Sequence, residues 1–148
     1  MLFHGSPFEL NVGDTLRPGE VTGKSSNGAC SRYVYASADF GFSMTDAQDW
    51  VSDDSLRTTQ EFALWDAAMW GCAGCESDNA PAWVYVVEGN IIGMDEHMDA
   101  GPAAVRMNEA VIIGKIKVKR KGFHVDVNAL RKSLDDFSQA KEAHSFVH

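Results

Sequence analysis

The sequence predicts an α+β domain built on a mainly antiparallel sheet. Segments with strand character outnumber those with helical periodicity, and the two central helical segments follow one another instead of alternating with strands. Of the 148 residues, 45% are hydrophobic and 10% are aromatic, which supplies enough apolar side chain for one packed core. We therefore expect residues 1–148 to form a single domain.

The first half of the chain predicts two strands and two helices. Met1–His4 is an apolar run that the turn residues Gly5-Ser6-Pro7 end, and Arg32–Ser37 is aromatic and β-branched, so both favour strands. The residues between them, 10–27, are rich in Gly, Pro and Asn, which predicts a loop. Ser43–Val51 and Thr59–Cys72 have helical periodicity, and the second helix is predicted to be apolar along one face.

The second half predicts three strands and a helical tail. Ala82–Glu88 is an almost unbroken apolar run, which is typical of a central strand covered on both faces. Glu109–Val118 has the strongest strand pattern, and Gly122–Val127 is predicted to form a further strand. Residues 89–102 are rich in Gly, Met and Asp and predict a loop. Residues 128–148 have weak helical periodicity and predict a C-terminal helical tail that frays.

Charge and composition narrow the class of protein. With 13 Lys and Arg against 21 Asp and Glu, the formal charge is −8, so a nucleic-acid partner is not expected. No stretch reaches the roughly 18 apolar residues of a membrane span. The three cysteines show no disulfide framework, which fits a reducing compartment. We therefore expect a cytoplasmic protein without a membrane partner. Cys72 and Cys75 lack further ligands at zinc spacing, and no metal is expected.

Three residues whose side chains could act in catalysis or binding stand at the ends of predicted strands. His4 ends the first strand directly before Gly5, and Tyr35 ends the second in Val34-Tyr35-Ala36-Ser37. Glu109 opens a later strand in Asn108-Glu109-Ala110-Val111-Ile112. A carboxylate at the head of an apolar strand is costly if it is buried unpaired, so Glu109 is expected either to face solvent or to have a polar task.

These residues, in this order, resemble the three signature strands of the His-Tyr-Glu class of ADP-ribosyltransferases. The nearest likeness is to the small rifamycin ADP-ribosyltransferases, through the opening His4-Gly5, the pattern Leu10-x-x-Gly13-Asp14-x-Leu16-x-Pro18-Gly19, and Trp83-Val84-Tyr85-Val86-Val87-Glu88. The resemblance covers residues 1–118. It implies an ADP-ribosyltransferase-like fold, with split, mainly antiparallel sheets and a few short helices.

The resemblance also implies NAD as a substrate and assigns roles in binding it. His4 would hydrogen-bond the ribose next to nicotinamide, the Gly5 backbone would hold the carboxamide, and Tyr35 would stack on the nicotinamide ring. Ser6, Arg17 and Ser43 join the implied NAD-binding set; among them, Ser43 lies where the polymerase branch of the clan has a serine that contacts the carboxamide.

The resemblance leaves the catalytic acid and the acceptor open. Glu109 matches the wider clan and would bond the ribose 2′-hydroxyl and steady an oxocarbenium-like transition state, as carboxylates do in glycosidases. In the rifamycin enzymes an Asp in the loop after the Val-Tyr-Val-Val-Glu strand takes the acidic role, which makes Asp95 the alternative.

Because residues 39–99 are strongly acidic, with Arg57 as their one basic side chain, a basic protein is the expected acceptor. A rifamycin-like antibiotic is the alternative acceptor, and a non-catalytic binding or inhibitory module on the same fold is a further alternative. A role in attack, as a toxin, or in antibiotic resistance would fit the family.

Overall fold

The computed structural model describes residues 1–19, 32–39, 58–73, 81–94, 103–118, 120–121, 124–125 and 127–147. These residues form an α+β fold with a curled antiparallel sheet and two helices, which confirms the predicted class. The predicted helix Ser43–Val51 and the candidate site residues Ser43 and Asp95 lie outside the described residues.

Within the described residues, seven strands form the main sheet, and every neighbouring pair runs antiparallel. In chain order the strands are β1 (Leu2–Ser6), β2 (Thr15–Leu16), β3 (Val34–Ala38), β4 (Ala82–Glu88), β5 (Ile91–Met94), β6 (Ala103–Met107) and β7 (Ala110–Val118). Across the sheet they stand in the order β2-β7-β4-β1-β3-β6-β5. Two further short strands, β8 (Arg120–Lys121) and β9 (His124–Val125), pair with each other.

Helix α1 (Thr59–Ala73) and helix α2 (Val127–Val147) cover one face of the sheet. Odd and even residues of β4 point to opposite faces: Val84 and Val86 pack in the helix-covered cluster, whereas Tyr85 and Val87 pack in a second cluster formed by the strands themselves. The sheet buries this second face because it curls. The predicted central, doubly covered strand 82–88 is thereby confirmed.

Several predicted elements need correction. Residues 89–102 are not all loop, because Ile91–Met94 pairs with β6 at the sheet edge, and residues 10–27 include the two-residue strand β2. The predicted strand Gly122–Val127 is shorter, with His124–Val125 paired and Val127 beginning α2. These strands have only two to four residues, so pairing with neighbouring strands decides them and local pattern does not.

Both described helices lie where helical periodicity predicts them. Helix α2 has 21 residues and corresponds to the predicted helical tail 128–148. Leu130, Leu134 and Phe137 lie one turn apart and are buried against the sheet, and this packing stabilises a helix whose periodicity is weak. Helix α1 is apolar beyond its predicted face, because Phe62, Ala63, Leu64, Ala67 and Ala68 are all buried.

A buried carboxyl joins α1 to β3. The Ser37 hydroxyl donates a hydrogen bond of 2.6 Å to Asp66 Oδ2, and the side chain of Trp70 donates another. Burial raises the pKa of Asp66 to about 6, and the hydrogen bonds from Ser37 and Trp70 lower it in part. The folded protein therefore holds this proton more tightly than an unfolded chain, in which the carboxyl titrates near 3.8.

We expect acid to stabilise the fold through Asp66. Its contribution is fully present below about pH 4 and is lost as the pH rises through 6, a change of about 3 kcal/mol in the free energy of unfolding. Urea titrations of the parent chain and of Asp66→Asn between pH 4 and 7 measure it, and the difference between the two proteins should shrink towards acid. Asp135→Asn, at an exposed position of α2, is the control for replacing a carboxyl with an amide. If the free energy of unfolding of Asp66→Asn changed with pH as steeply as that of the parent chain, the expectation would be contradicted.

Candidate functional site

His4 lies where two neighbouring strands part. The pairing of β1 with β3 covers Leu2↔Ala38 and Phe3↔Ser37. Beyond Phe3, the His4 side chain bonds β3 where backbone pairing has ended. Its Nδ1–H donates a hydrogen bond of 2.5 Å to the Tyr35 carbonyl oxygen. Because a carbonyl can only accept, this contact fixes the proton on Nδ1 and leaves Nε2 of the neutral ring as an acceptor.

The surroundings of His4 keep its imidazole neutral. Burial lowers the pKa of His4, while the hydrogen bond to the Tyr35 carbonyl raises it in part. The ring also stacks on Tyr85 of the neighbouring strand, with ring centroids 6.5 Å apart and the planes 15° from parallel. The imidazole is therefore held in one tautomer and one orientation near neutral pH.

Tyr85 connects this histidine to the loop after β1. The Tyr85 side chain is buried, and its hydroxyl donates to the Phe8 carbonyl at 2.5 Å and accepts from the Leu10 N–H at 2.8 Å. Burial raises the pKa of Tyr85, so the hydroxyl stays protonated and keeps both bonds. The loop that follows His4 is thereby fixed to the centre of the sheet.

Removing that hydroxyl should loosen the loop. In Tyr85→Phe the Phe8 carbonyl and the Leu10 N–H lose their partner, which we expect to lower the free energy of unfolding by about 2 kcal/mol and to speed hydrogen exchange at Leu10. Chemical denaturation and exchange measured by mass spectrometry check both effects. Tyr35→Phe, at a side chain that is 40% exposed, is the control and should change stability by less than about 0.5 kcal/mol; equal effects in both variants would contradict this account.

Gly5 and Ser6 contact the protein's own core. A side chain on Gly5 would overlap the Ala67 carbonyl oxygen of α1, so glycine is required for β1 and α1 to approach this closely. Ser6 is buried, and its hydroxyl oxygen accepts a hydrogen bond of 3.0 Å from the Phe8 N–H. The Ser6 side chain thus holds the turn after β1, a role that the sequence did not indicate.

Tyr35 presents its ring to solvent on the face of the sheet that carries α1. Val34, Ala36 and Ala38 pack in the opposite cluster, so by alternation Tyr35 shares the α1 face with Ser37. The Tyr35 ring is 40% exposed and meets Tyr33 edge-on, with centroids 6.3 Å apart. The structure therefore joins His4 to Tyr35 through the Tyr35 carbonyl, while the exposed ring faces away from the strand-formed cluster.

Glu109 and Arg17 form a separate pair. Arg17 Nη1 donates to Glu109 Oε2 at 2.9 Å, and the two side chains are 51% and 63% exposed. They meet because Leu16 of β2 pairs with Ala110 of β7 in antiparallel register. Arg17, which follows Leu16, therefore lies beside Glu109, which precedes Ala110. Glu109 also lines a cleft of about 330 Å³ together with Glu88, Asn90 and Asn108.

The strand register separates this pair from His4. His4 stands opposite Tyr85, which stands opposite Lys115, whereas Glu109 precedes Lys115 by six residues in the sequence. At about 3.3 Å per residue this is roughly 15–20 Å along the strand direction. The register thus places Glu109 apart from His4, whereas Met107, two residues before Glu109, stands opposite Val34, the residue before Tyr35.

Arg106 is not among the candidate site residues that the sequence predicts. It stands opposite Tyr35 in the pairing of β3 with β6, and its guanidinium carbon lies 5.4 Å from the centroid of the Tyr33 ring. Its one sequence signal is a cation inside an otherwise apolar strand, Ala103–Met107. That strand was itself not predicted, so the signal had no structural setting.

The fold and this geometry define an α+β protein whose antiparallel sheet holds a fixed, neutral histidine on one face and the exposed Tyr35 ring on the other. No protein-family model matches the chain, and a search of curated proteins finds no relative. Among the described residues, no helix has the length and apolar character needed to cross a membrane. Within the same residues, no group of three His, Cys, Asp or Glu side chains is placed to hold a metal ion.

Proposed function

We propose that the protein is an NAD-dependent mono-ADP-ribosyltransferase. The observation that carries the proposal is the His4 imidazole, which the Tyr35 carbonyl holds in one tautomer at the parting of β1 and β3. A neutral imidazole with Nε2 as acceptor suits a ribose hydroxyl, which can donate to it. The parting of the strands supports the split sheet that the ADP-ribosyltransferase resemblance implies.

The proposed reaction breaks the bond between nicotinamide and ribose in NAD. The electron pair of that bond leaves on the nicotinamide nitrogen, and the anomeric carbon passes through an oxocarbenium-like state. An acceptor oxygen or nitrogen then bonds to this carbon and gives up its proton to solvent or to a carboxylate. His4 would orient the ribose. The resemblance assigns stacking on nicotinamide to Tyr35, whose exposed ring leaves the α1 face of the sheet, whereas the His4 ring stacks on Tyr85 at the opposite face.

Glu109 and Asp95 both remain candidates for the acid of this reaction. Met94, the residue before Asp95, stands opposite Val105, which stands opposite Ala36, next to Tyr35. Met107, two residues before Glu109, stands opposite Val34, which also neighbours Tyr35. Because Glu109 is paired with Arg17, Asp95→Ala and Glu109→Ala are compared to decide between them.

A protein acceptor remains the proposal for the second substrate. Residues 39–99 carry most of the excess negative charge, and an acidic surface steers a basic partner by complementarity. Transfer to a rifamycin-like antibiotic is the alternative, and the same labelling experiment separates the two acceptors.

The test is incubation of the purified protein with labelled NAD, a cell lysate and, separately, rifampicin. We expect labelled protein bands that His4→Ala reduces by roughly 100-fold or more, the usual effect of removing one group that positions the reacting substrate. Tyr35→Ala should also lose labelling, whereas Phe8→Ala, at a side chain with the same 40% exposure, should retain it. Asp95→Ala and Glu109→Ala, compared side by side, identify the acid.

Full labelling by folded His4→Ala would refute the proposal, and modified rifampicin without labelled protein would identify the alternative acceptor. One observation favours a second candidate, a non-catalytic binding module: Glu109, the acid of the wider clan, is engaged by Arg17 away from His4. If the protein neither turns over NAD nor binds it, this second candidate replaces the first.

A further inference from the structure

We propose that Arg106 is an anion-binding residue that takes the phosphates of a nucleotide whose aromatic ring stacks beside it on Tyr35. The ligand's identity as NAD rests on the proposed function, whereas the chemistry of the site, a planar cation next to exposed aromatic rings, rests on the contacts of Arg106 itself.

The guanidinium group of Arg106 is held in a fixed position. On one side it lies over the Tyr33 ring at 5.4 Å. On the other it lies against the backbone of Gly93, where an added Cβ would overlap Nη2 and come within 3.1 Å of Nε. Gly93 stands opposite Arg106 in the pairing of β5 with β6, beside an irregularity in the register. A glycine at this position leaves room for the flat guanidinium group.

Arg106 also has an unused donor. Its Nε is buried, and among the described residues it has no hydrogen-bond partner. A buried donor without an acceptor costs about 1–3 kcal/mol, and native proteins rarely leave one unexplained. An oxyanion bound to the guanidinium group would satisfy such a donor, because arginine presents its N–H groups in a planar fork that matches phosphate.

The position of Arg106 makes a nucleotide the fitting ligand. Arg106 and Tyr35 are direct partners across the strands, so their side chains leave the same face of the sheet about 5 Å apart at the backbone. The Tyr35 ring is 40% exposed and its edge-on contact with Tyr33 leaves a face open for stacking. One ligand that carries an aromatic ring and a phosphate can therefore use both residues at once.

Calorimetric titration with ADP, which has phosphates but no nicotinamide, tests this role without requiring turnover. We expect Arg106→Ala to weaken ADP binding at least 10-fold and Arg106→Lys to weaken it several-fold, because lysine keeps the charge but lacks the planar fork and Nε. Binding of nicotinamide alone should be unchanged in both. Lys132→Ala, which removes an exposed cation on α2, is the control and should change ADP binding less than 2-fold.

Each outcome decides for or against the role. If ADP binds the parent chain and Arg106→Ala abolishes it while NAD is never turned over, the site stands and the proposed function fails. If NAD is turned over and both Arg106 variants, folded by circular dichroism, bind ADP as the parent does, the proposed function stands and Arg106 is not the phosphate ligand. If 1 mM ADP does not bind the parent chain, or Lys132→Ala weakens binding as much as Arg106→Ala, the role is overturned.

Discussion

Gly5→Ala should lower the free energy of unfolding by about 4 kcal/mol, at the upper end of what overpacking costs. The added Cβ would overlap the Ala67 carbonyl oxygen and lie 2.7 Å from the Gly71 nitrogen. Both are backbone atoms of α1, so no side chain can rotate away, and the whole helix would have to shift from β1. Urea denaturation of the parent chain and the variant measures the change.

Gly13→Ala is the matched control for this substitution. A Cβ at Gly13 would meet nothing within 4 Å, and the cost there comes only from its φ of 96°, a left-handed backbone that we expect to cost about 1 kcal/mol. If Gly5→Ala were no more destabilising than Gly13→Ala, the close approach of β1 and α1 would be wrong. Gly71→Ala, whose Cβ would lie 2.9 Å from the Ser6 nitrogen, should fall between the two.

Glu61→Ala should cost about 3 kcal/mol, because it removes a buried carboxylate that bonds the half-buried Arg131 and caps α1. Arg131 Nε of α2 donates to Glu61 Oε1 at 2.6 Å, and the Glu61 side chain is only 7% exposed. The same carboxylate closes a capping box at the start of α1: its Oε2 accepts from the Thr58 N–H at 3.3 Å, and the Thr58 hydroxyl accepts from the Glu61 N–H at 3.1 Å. One residue thus begins α1 and joins it to α2.

Two variants separate these roles of Glu61. Glu61→Gln keeps an acceptor for the Thr58 N–H but loses the charge, and it should cost less than Glu61→Ala. Arg17→Ala breaks an ion pair whose members are 51% and 63% exposed, and it should cost less than about 1 kcal/mol. Thermal and urea unfolding of the three proteins give the comparison, and a cost for Glu61→Ala as small as that of Arg17→Ala would show that burial does not strengthen this pair.

Short-range pattern was sufficient for the elements that carry their own signal. The strands at 34–38, 82–88 and 110–118 and the two helices follow from apolar runs, β-branched residues and helical periodicity. The first strand was predicted to end at His4, but it continues through Gly5 and Ser6 because both residues pair with β4. Strands β5 and β6 escaped prediction because they are short and include glycine, alanine and arginine, and they exist through pairing with β3 and with each other.

The candidate site divides in the same way. Residue types alone single out the candidate side chains, since His4, Tyr35, Glu109 and Asp95 are visible at predicted strand ends or in a predicted loop. Their grouping depends on the fold: the register places Glu109 with Arg17 and apart from His4, and it places Arg106 beside Tyr35. Local pattern does not encode this grouping, because a strand's partner and register are set by contacts between residues far apart in the chain.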